Sequence, residues 1–142
     1  MGYRHGSHTV FQIHMHVVWT TKYRKKILVG EVGKRTRGLI REICRENDVE
    51  IIKGHVSKDH IHLFVSIPPQ LTISRMMQKI KGKSSYKLLR EYSHLSKEFW
   101  GRHLWARGYF CCSSGNVTDE VIKKYIENQQ TEEGQDFKVE DE

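Results

Sequence analysis

The chain has 142 residues, with 24 Lys and Arg against 17 Asp and Glu, a formal net charge of +7. That is material for one domain around one modest hydrophobic core. No window approaches a membrane-spanning apolar run, "MGYRHGSH" lacks the apolar core of a signal peptide, and Cys44, Cys111 and Cys112 have neither a disulfide framework nor a zinc spacing. The expectation is a cytoplasmic protein without a membrane anchor.

The charge is unevenly spread. Residues 132–142, "EEGQDFKVEDE", hold six acids and one Lys, which leaves 23 basic and 11 acidic residues in positions 1–131. The division expected is therefore a single basic domain over 1–131 and an acidic, disordered tail over 132–142. A basic body favours a polyanionic partner such as nucleic acid, although many small basic domains bind none.

In chain order, "HTVFQIHMHVVWT" at 8–20 alternates, with Phe11, Ile13, Met15, Val17 and Trp19 on one face and Gln12, His14, His16 and Thr20 on the other. That pattern predicts a half-buried strand. After the basic connection "TKYRKKIL", Val32, Leu39, Ile40, Ile43 and Cys44 recur at helical spacing, and Asn47-Asp48 ends the helix. A second strand covers about 49 to 56. The third is "KDHIHLFVSIPP" at 58–69, with Ile61, Leu63, Val65 and Ile67 alternating against His60, His62, Phe64 and Ser66 before Pro68-Pro69 stops it.

From Thr72, "TISRMMQKIKGKSSYKLLREY" predicts a basic helix bent near Gly82. An aromatic-rich loop precedes "GYFCCSS", the fourth strand, and "VTDEVIKKYIENQQ" predicts a closing helix with Thr118 as N-cap. The order βαββαβ plus one helix fits an α+β, ferredoxin-like (RRM-like) sandwich: an antiparallel sheet with helices on one face. Strands one and three then lie side by side in the middle, and His60, His62, His14 and His16 project from the more open face.

Two imidazoles roughly 7 Å apart on one strand face can share a divalent cation if a third ligand arrives from elsewhere. Nine histidines make His-x-His frequent by chance, and this chain has two such pairs, so the spacing alone is weak. Tyr125 and Gln129, four apart, occupy one face of the closing helix. They read either as a core aromatic with a solvated end residue, or as a nucleophile with an oxygen ligand. A tyrosine can attack a phosphodiester and form a covalent phosphotyrosine, with a divalent ion polarising the phosphate.

Five blocks together resemble the single-tyrosine HUH transposases of insertion sequences, usually called transposase A, and their domesticated relatives that act on repeated extragenic palindromes. The blocks are "HVVWTTKYRKKIL", "KDHIHLFVSIPP", "KIKGKSSYKLLR", "LWARGYFCCSSGNVT" and "VIKKYIENQ", in that order and spanning nearly the whole chain. The resemblance implies that His60 and His62 are metal ligands, that Gln129 is the third, and that Tyr125 is the nucleophile. It implies Mg2+ or Mn2+ as cofactor, single-stranded DNA with hairpins as partner, and a homodimer in which one subunit's tyrosine helix can complete the other's histidine site. The implied reaction is cleavage and rejoining of single-stranded DNA at hairpin-marked ends through a 5′-phosphotyrosine.

For DNA contact the candidates are Lys22, Arg24, Lys25 and Lys26 after strand one and Lys79, Lys81 and Lys83 on the second helix, with Tyr23, Trp100 and Trp105 as stacking surfaces. The alternatives are a palindrome-processing relative, a phosphodiesterase without covalent intermediate, and a non-catalytic nucleic-acid-binding module. An RNA-recognition domain would carry aromatics where strand three has histidines.

Overall fold

The structure, a computed structural model, describes residues 4–5, 10–11, 13–100, 102–113 and 137–140, the first two pairs as backbone only. A short ribbon, β1 (Arg4–His5) paired with β2 (Val10–Phe11), precedes the main body. Five further strands form one sheet: β3 (His14–Thr20), β4 (Glu50–Val56), β5 (His60–Ser66), β6 (Phe110–Ser113) and β7 (Phe137–Val139). Their order is β6-β3-β5-β4-β7. The helices are α1 (Gly30–Glu46), α2 (Ile73–Glu91) and the short α3 (Ser93–Glu98). The first four strands of this order are the ferredoxin-like arrangement expected, with β3 and β5 adjacent and antiparallel.

Alternation builds the core. Val17 and Trp19 of β3 and Ile61, Leu63 and Val65 of β5 are buried against Leu39, Ile40 and Ile43 of α1 and Met76, Met77 and Ile80 of α2. Paired residues of antiparallel strands point to the same face, so Met15↔Val65, Val17↔Leu63 and Trp19↔Ile61 form a continuous apolar floor beneath the helices. At the end of α1, Asn47 Nδ2 donates to the Ile43 carbonyl at 2.8 Å and Asp48 takes φ 56°, the left-handed stop expected of Asn-Asp.

Several expectations need correction. The stretch 8–20 is not one strand: its first part pairs in the β1/β2 ribbon, and main-sheet pairing starts at His14. Helix α2 runs unbroken through Gly82 from Ile73 to Glu91, with the Ser84 hydroxyl donating to the Ile80 carbonyl at 2.6 Å. Helix α3 occupies part of the expected loop.

Part of the stretch expected to be a disordered tail is a strand. Phe137–Val139 adds to β4 as a parallel edge strand, so the sheet is mixed, and both Phe137 and Val139 are buried in the core. Two glycines make the slot for it. A Cβ on Gly54 would collide with the Phe137 ring, and one on Gly33 would meet Val139 Cγ1 at 2.8 Å. The apolar residues within an acidic stretch are what hold it. Residues 117–130, the expected closing helix with Tyr125 and Gln129, lie outside the described residues.

Candidate functional site

On the face of the sheet away from α1 and α2, histidines gather. His16 of β3 lies diagonally across from His62 of β5, and His62 pairs directly with His55 of β4. Sequence parity hides His55. A bulge between Ile51 and Lys53 inserts one residue into β4, so the next residue after Ile51 to face the core is Gly54, three positions on, rather than Lys53, and His55 is turned to the histidine face. Gly54 inside the strand pattern is the signal that could have revealed it.

His60 and His62 do project on that face, but His60 is not open: its side chain is 2% exposed. Its Nδ1 donates to Asp59 Oδ1 at 2.9 Å, since a carboxylate can only accept. This fixes the neutral ring with its lone pair on Nε2, and Nε2 is buried with no hydrogen-bond partner among the described residues. A buried imidazole nitrogen in that state is suited to a metal. His62 is held differently: its Nε2 lies 3.1 Å from His16 Nδ1, and the two rings stack with centroids 5.3 Å apart.

Burial and neighbouring charge keep both rings neutral. Burial is the larger influence on His62, followed by His16, His55 and His60, and together they push its pKa down to about 3. His60 is also lowered by burial, although the hydrogen bond and charge of Asp59 work against it. For Asp59, burial would raise the carboxyl, but the His60 bond and the Arg24 charge outweigh it and hold it below the usual range. Neutral imidazoles are the state that ligates a cation.

The donor set is incomplete within the described residues. No three His, Cys, Asp or Glu side chains among them converge as a metal centre. His60 and His62 lie two positions apart on this face, and the other two residues singled out in the sequence, Gln129 and Tyr125, lie outside the described residues.

The basic candidates are dispersed. Lys22 and Lys81 line a groove of about 980 Å³ between α2 and the segment after α3, together with Arg90, Arg102, His103 and Arg107; no Asp or Glu contributes to its described lining. Lys81 is committed within it, because its ammonium donates to the Ala106 and Gly108 carbonyls at 2.7 and 2.9 Å and is partly desolvated, which lowers its pKa. Arg24 binds Asp59, Lys25 binds Glu98 at 2.8 Å and Lys83 lies 3.4 Å from Glu46. Lys26 is exposed and Lys79 half-buried.

Among the aromatics, Tyr23 and Trp100 are exposed at 76% and 87%. Trp105 is instead a core residue, packed edge-on to Trp19 and donating from Nε1 to Ser84 Oγ at 2.9 Å, so it offers no stacking face. Arg102, His103 and Arg107 were missed because they fall in a loop without periodicity, and only folding brings them beside Lys22.

Comparison with known proteins agrees with this architecture. The family described as transposase IS200-like matches residues 9–129, a span that includes the histidine strand, Tyr125 and Gln129. The ISDra2 transposase TnpA of Deinococcus radiodurans is 36% identical over 124 residues, 87% of this chain and 89% of its own length. The transposase for insertion sequence element IS200 of Salmonella typhimurium is 32% identical over 127 residues, covering 89% of this chain and 83% of the relative.

Among solved structures, a Deinococcus radiodurans R1 protein described as a transposase superposes with a TM-score of 0.76 at 30% identity, covering 91% of this chain and 99% of its own. A REP-associated tyrosine transposase bound to a REP hairpin shares the fold, with a TM-score of 0.58 at 14% identity over 89% of this chain and 73% of its own. Nearly the whole chain is accounted for by one family of DNA transposition enzymes, and the chain belongs to it: the IS200-like transposases.

Proposed function

We propose that this chain is a divalent-metal-dependent transposase that cleaves and rejoins single-stranded DNA beside hairpins at element ends, through a covalent bond between Tyr125 and a 5′ phosphate. The observation that carries the reading is the state of His60, a buried neutral ring with Nδ1 held by a carboxylate and Nε2 free of hydrogen-bond partners among the described residues. His60 and His62, joined by Gln129, are the ligands proposed for Mg2+ or Mn2+. The ion, when bound, polarises the scissile phosphate and stabilises the charge that grows on its oxygens.

The protein's own part is a transesterification. The Tyr125 Oη gives up its proton and attacks phosphorus; the P–O3′ bond breaks, and the electron pair leaves with the 3′ oxygen, which becomes a hydroxyl. Attack by a 3′ hydroxyl on the phosphotyrosine reverses the step. One phosphodiester is exchanged for one phosphotyrosine, so no nucleotide hydrolysis is needed. Lys22, Lys26 and Lys79, with Arg90, Arg102 and Arg107 of the basic groove, are suited to phosphate contacts that position a strand without reading its sequence. Exposed Tyr23 and Trp100 are suited to stacking on unpaired bases. The working unit proposed is a homodimer with composite sites, and residues 1–131 with strand β7 form its domain.

The 36% and 32% identity to insertion-sequence transposases supports a mobile-element enzyme. The test uses single-stranded oligonucleotides copied from both flanks of the gene, incubated with protein and Mg2+ and run on a denaturing gel. Wild type should give a slow protein–DNA adduct, and Tyr125→Phe none, while hairpin binding on a native gel stays within about twofold because only one hydroxyl is removed. Cleavage by the variant at the wild-type rate would refute the covalent mechanism.

A further inference from the structure

Asp59 does more than precede the histidine pair. Within a strand, residues i and i+1 point to opposite faces and cannot touch on one of them. Asp59, however, sits in the bend before β5, and this lets its carboxylate turn back onto the ring of its neighbour His60. Its backbone is pinned as well: Thr21 N donates to the Asp59 carbonyl at 2.9 Å, and the Thr21 hydroxyl reaches the same oxygen at 3.3 Å.

The second carboxylate oxygen is also engaged. Asp59 Oδ2 accepts from Arg24 Nε at 3.1 Å. Arg24 is aimed by an unusual piece of backbone, since Tyr23 and Arg24 both have positive φ, 61° and 54°, which non-glycine residues adopt only where the surroundings hold them. The hold is visible: Arg24 N donates to the Thr21 carbonyl at 3.0 Å, and the Thr21 hydroxyl donates to the Lys25 carbonyl at 2.7 Å. Oδ2 of Asp59 and its main-chain carbonyl are therefore held by one short loop, which leaves Oδ1 to His60.

We infer that Asp59 is a positioning residue for the metal site: it holds His60 as the Nδ1–H tautomer with Nε2 presented to the cation, and Arg24 on the Thr21–Lys25 loop holds Asp59. This rests on the proposed role of His60 as a ligand and adds a carboxylate–histidine–metal relay to it. The relay serves only one of the two histidines. His62 has the His16 ring as its neighbour, and no carboxylate among the described residues bonds to it.

Two readouts test this on the full-length protein. Nitrogen-15 NMR of the metal-free chain should show His60 protonated at Nδ1 alone; Asp59→Ala should lose that preference, and so should Asp59→Asn, whose amide has one acceptor oxygen for the two donors His60 and Arg24. Mn2+ affinity, followed by the loss of the free-ion EPR signal, should weaken roughly 10- to 100-fold in Asp59→Ala. An alanine variant that keeps the Nδ1–H tautomer or wild-type Mn2+ affinity while remaining folded overturns the inference. If wild type binds no more Mn2+ than His60→Ala, the metal site itself fails, and the metal role of Asp59 with it, whatever the tautomer shows.

Discussion

The two faces of the sheet follow opposite rules on the same strands. Toward α1 and α2, β3 and β5 present Val17, Trp19, Ile61, Leu63 and Val65, and each gains from contact with apolar neighbours. On the other face the same strands carry His16, His60, His62 and Phe64, and polar nitrogens are buried there at a cost in desolvation. The first face supplies stability; the second consumes part of it to keep imidazoles neutral and fixed. One residue of strand separates the two tasks.

The comparison can be broken by substitutions of similar size on each face. Leu63→Ala should destabilise the fold by about 2–5 kcal/mol in a denaturant titration, since it opens a cavity in a fully packed region. Wild-type stability in that variant would show that the helix-covered face is not the one that holds the molecule together. His62→Ala should do the reverse, reducing Mg2+-dependent cleavage about 100-fold or more while the denaturation midpoint barely falls. Full cleavage by that variant would remove His62 from the site.

A smaller effect probes the edge. Gly54→Ala should cost about 1–3 kcal/mol, because its methyl displaces the Phe137 ring, and amide exchange should quicken in β7 before it does in β5. The last test sharpens the contrast through pH. In the presence of a chelator, His62 titrates at about 3 in the fold and near 6.5 once unfolded, so the unfolded chain binds more protons between those values. Stability should be fully present above about pH 6.5 and fall toward pH 3. His62→Gln should flatten that part of the profile relative to wild type, and an unchanged slope would show that His62 is not held neutral.

Much of this was legible in the chain. Alternation over 14–20 and 60–66 and the 3.6 period of α1 gave the central strands and the first helix, because burial on one side imposes those periods directly. What escaped depended on events that no local period records. The β4 bulge reverses parity and brings His55 to the histidine face; Trp105 is buried by a partner distant in sequence, Ser84; and β7 lies in an acidic stretch whose two apolar residues find glycine slots in α1 and β4. The His60–Asp59 bond was likewise invisible, since two adjacent letters do not reveal that one lies in a bend.

The placement of β6 and β7 at opposite edges of the sheet has a consequence for reach. Residues 114–136 leave one edge at Ser113 and must return to the other at Phe137, with Tyr125 midway between the two anchors. Four inter-strand spacings amount to about 19 Å, whereas the twelve residues on either side of Tyr125 can each extend about 40 Å. The fully extended length between the two anchors is thus several times the separation of the two edges. For the nucleophile proposed at Tyr125, contour length alone therefore does not select between the histidines of its own sheet and those of a second copy.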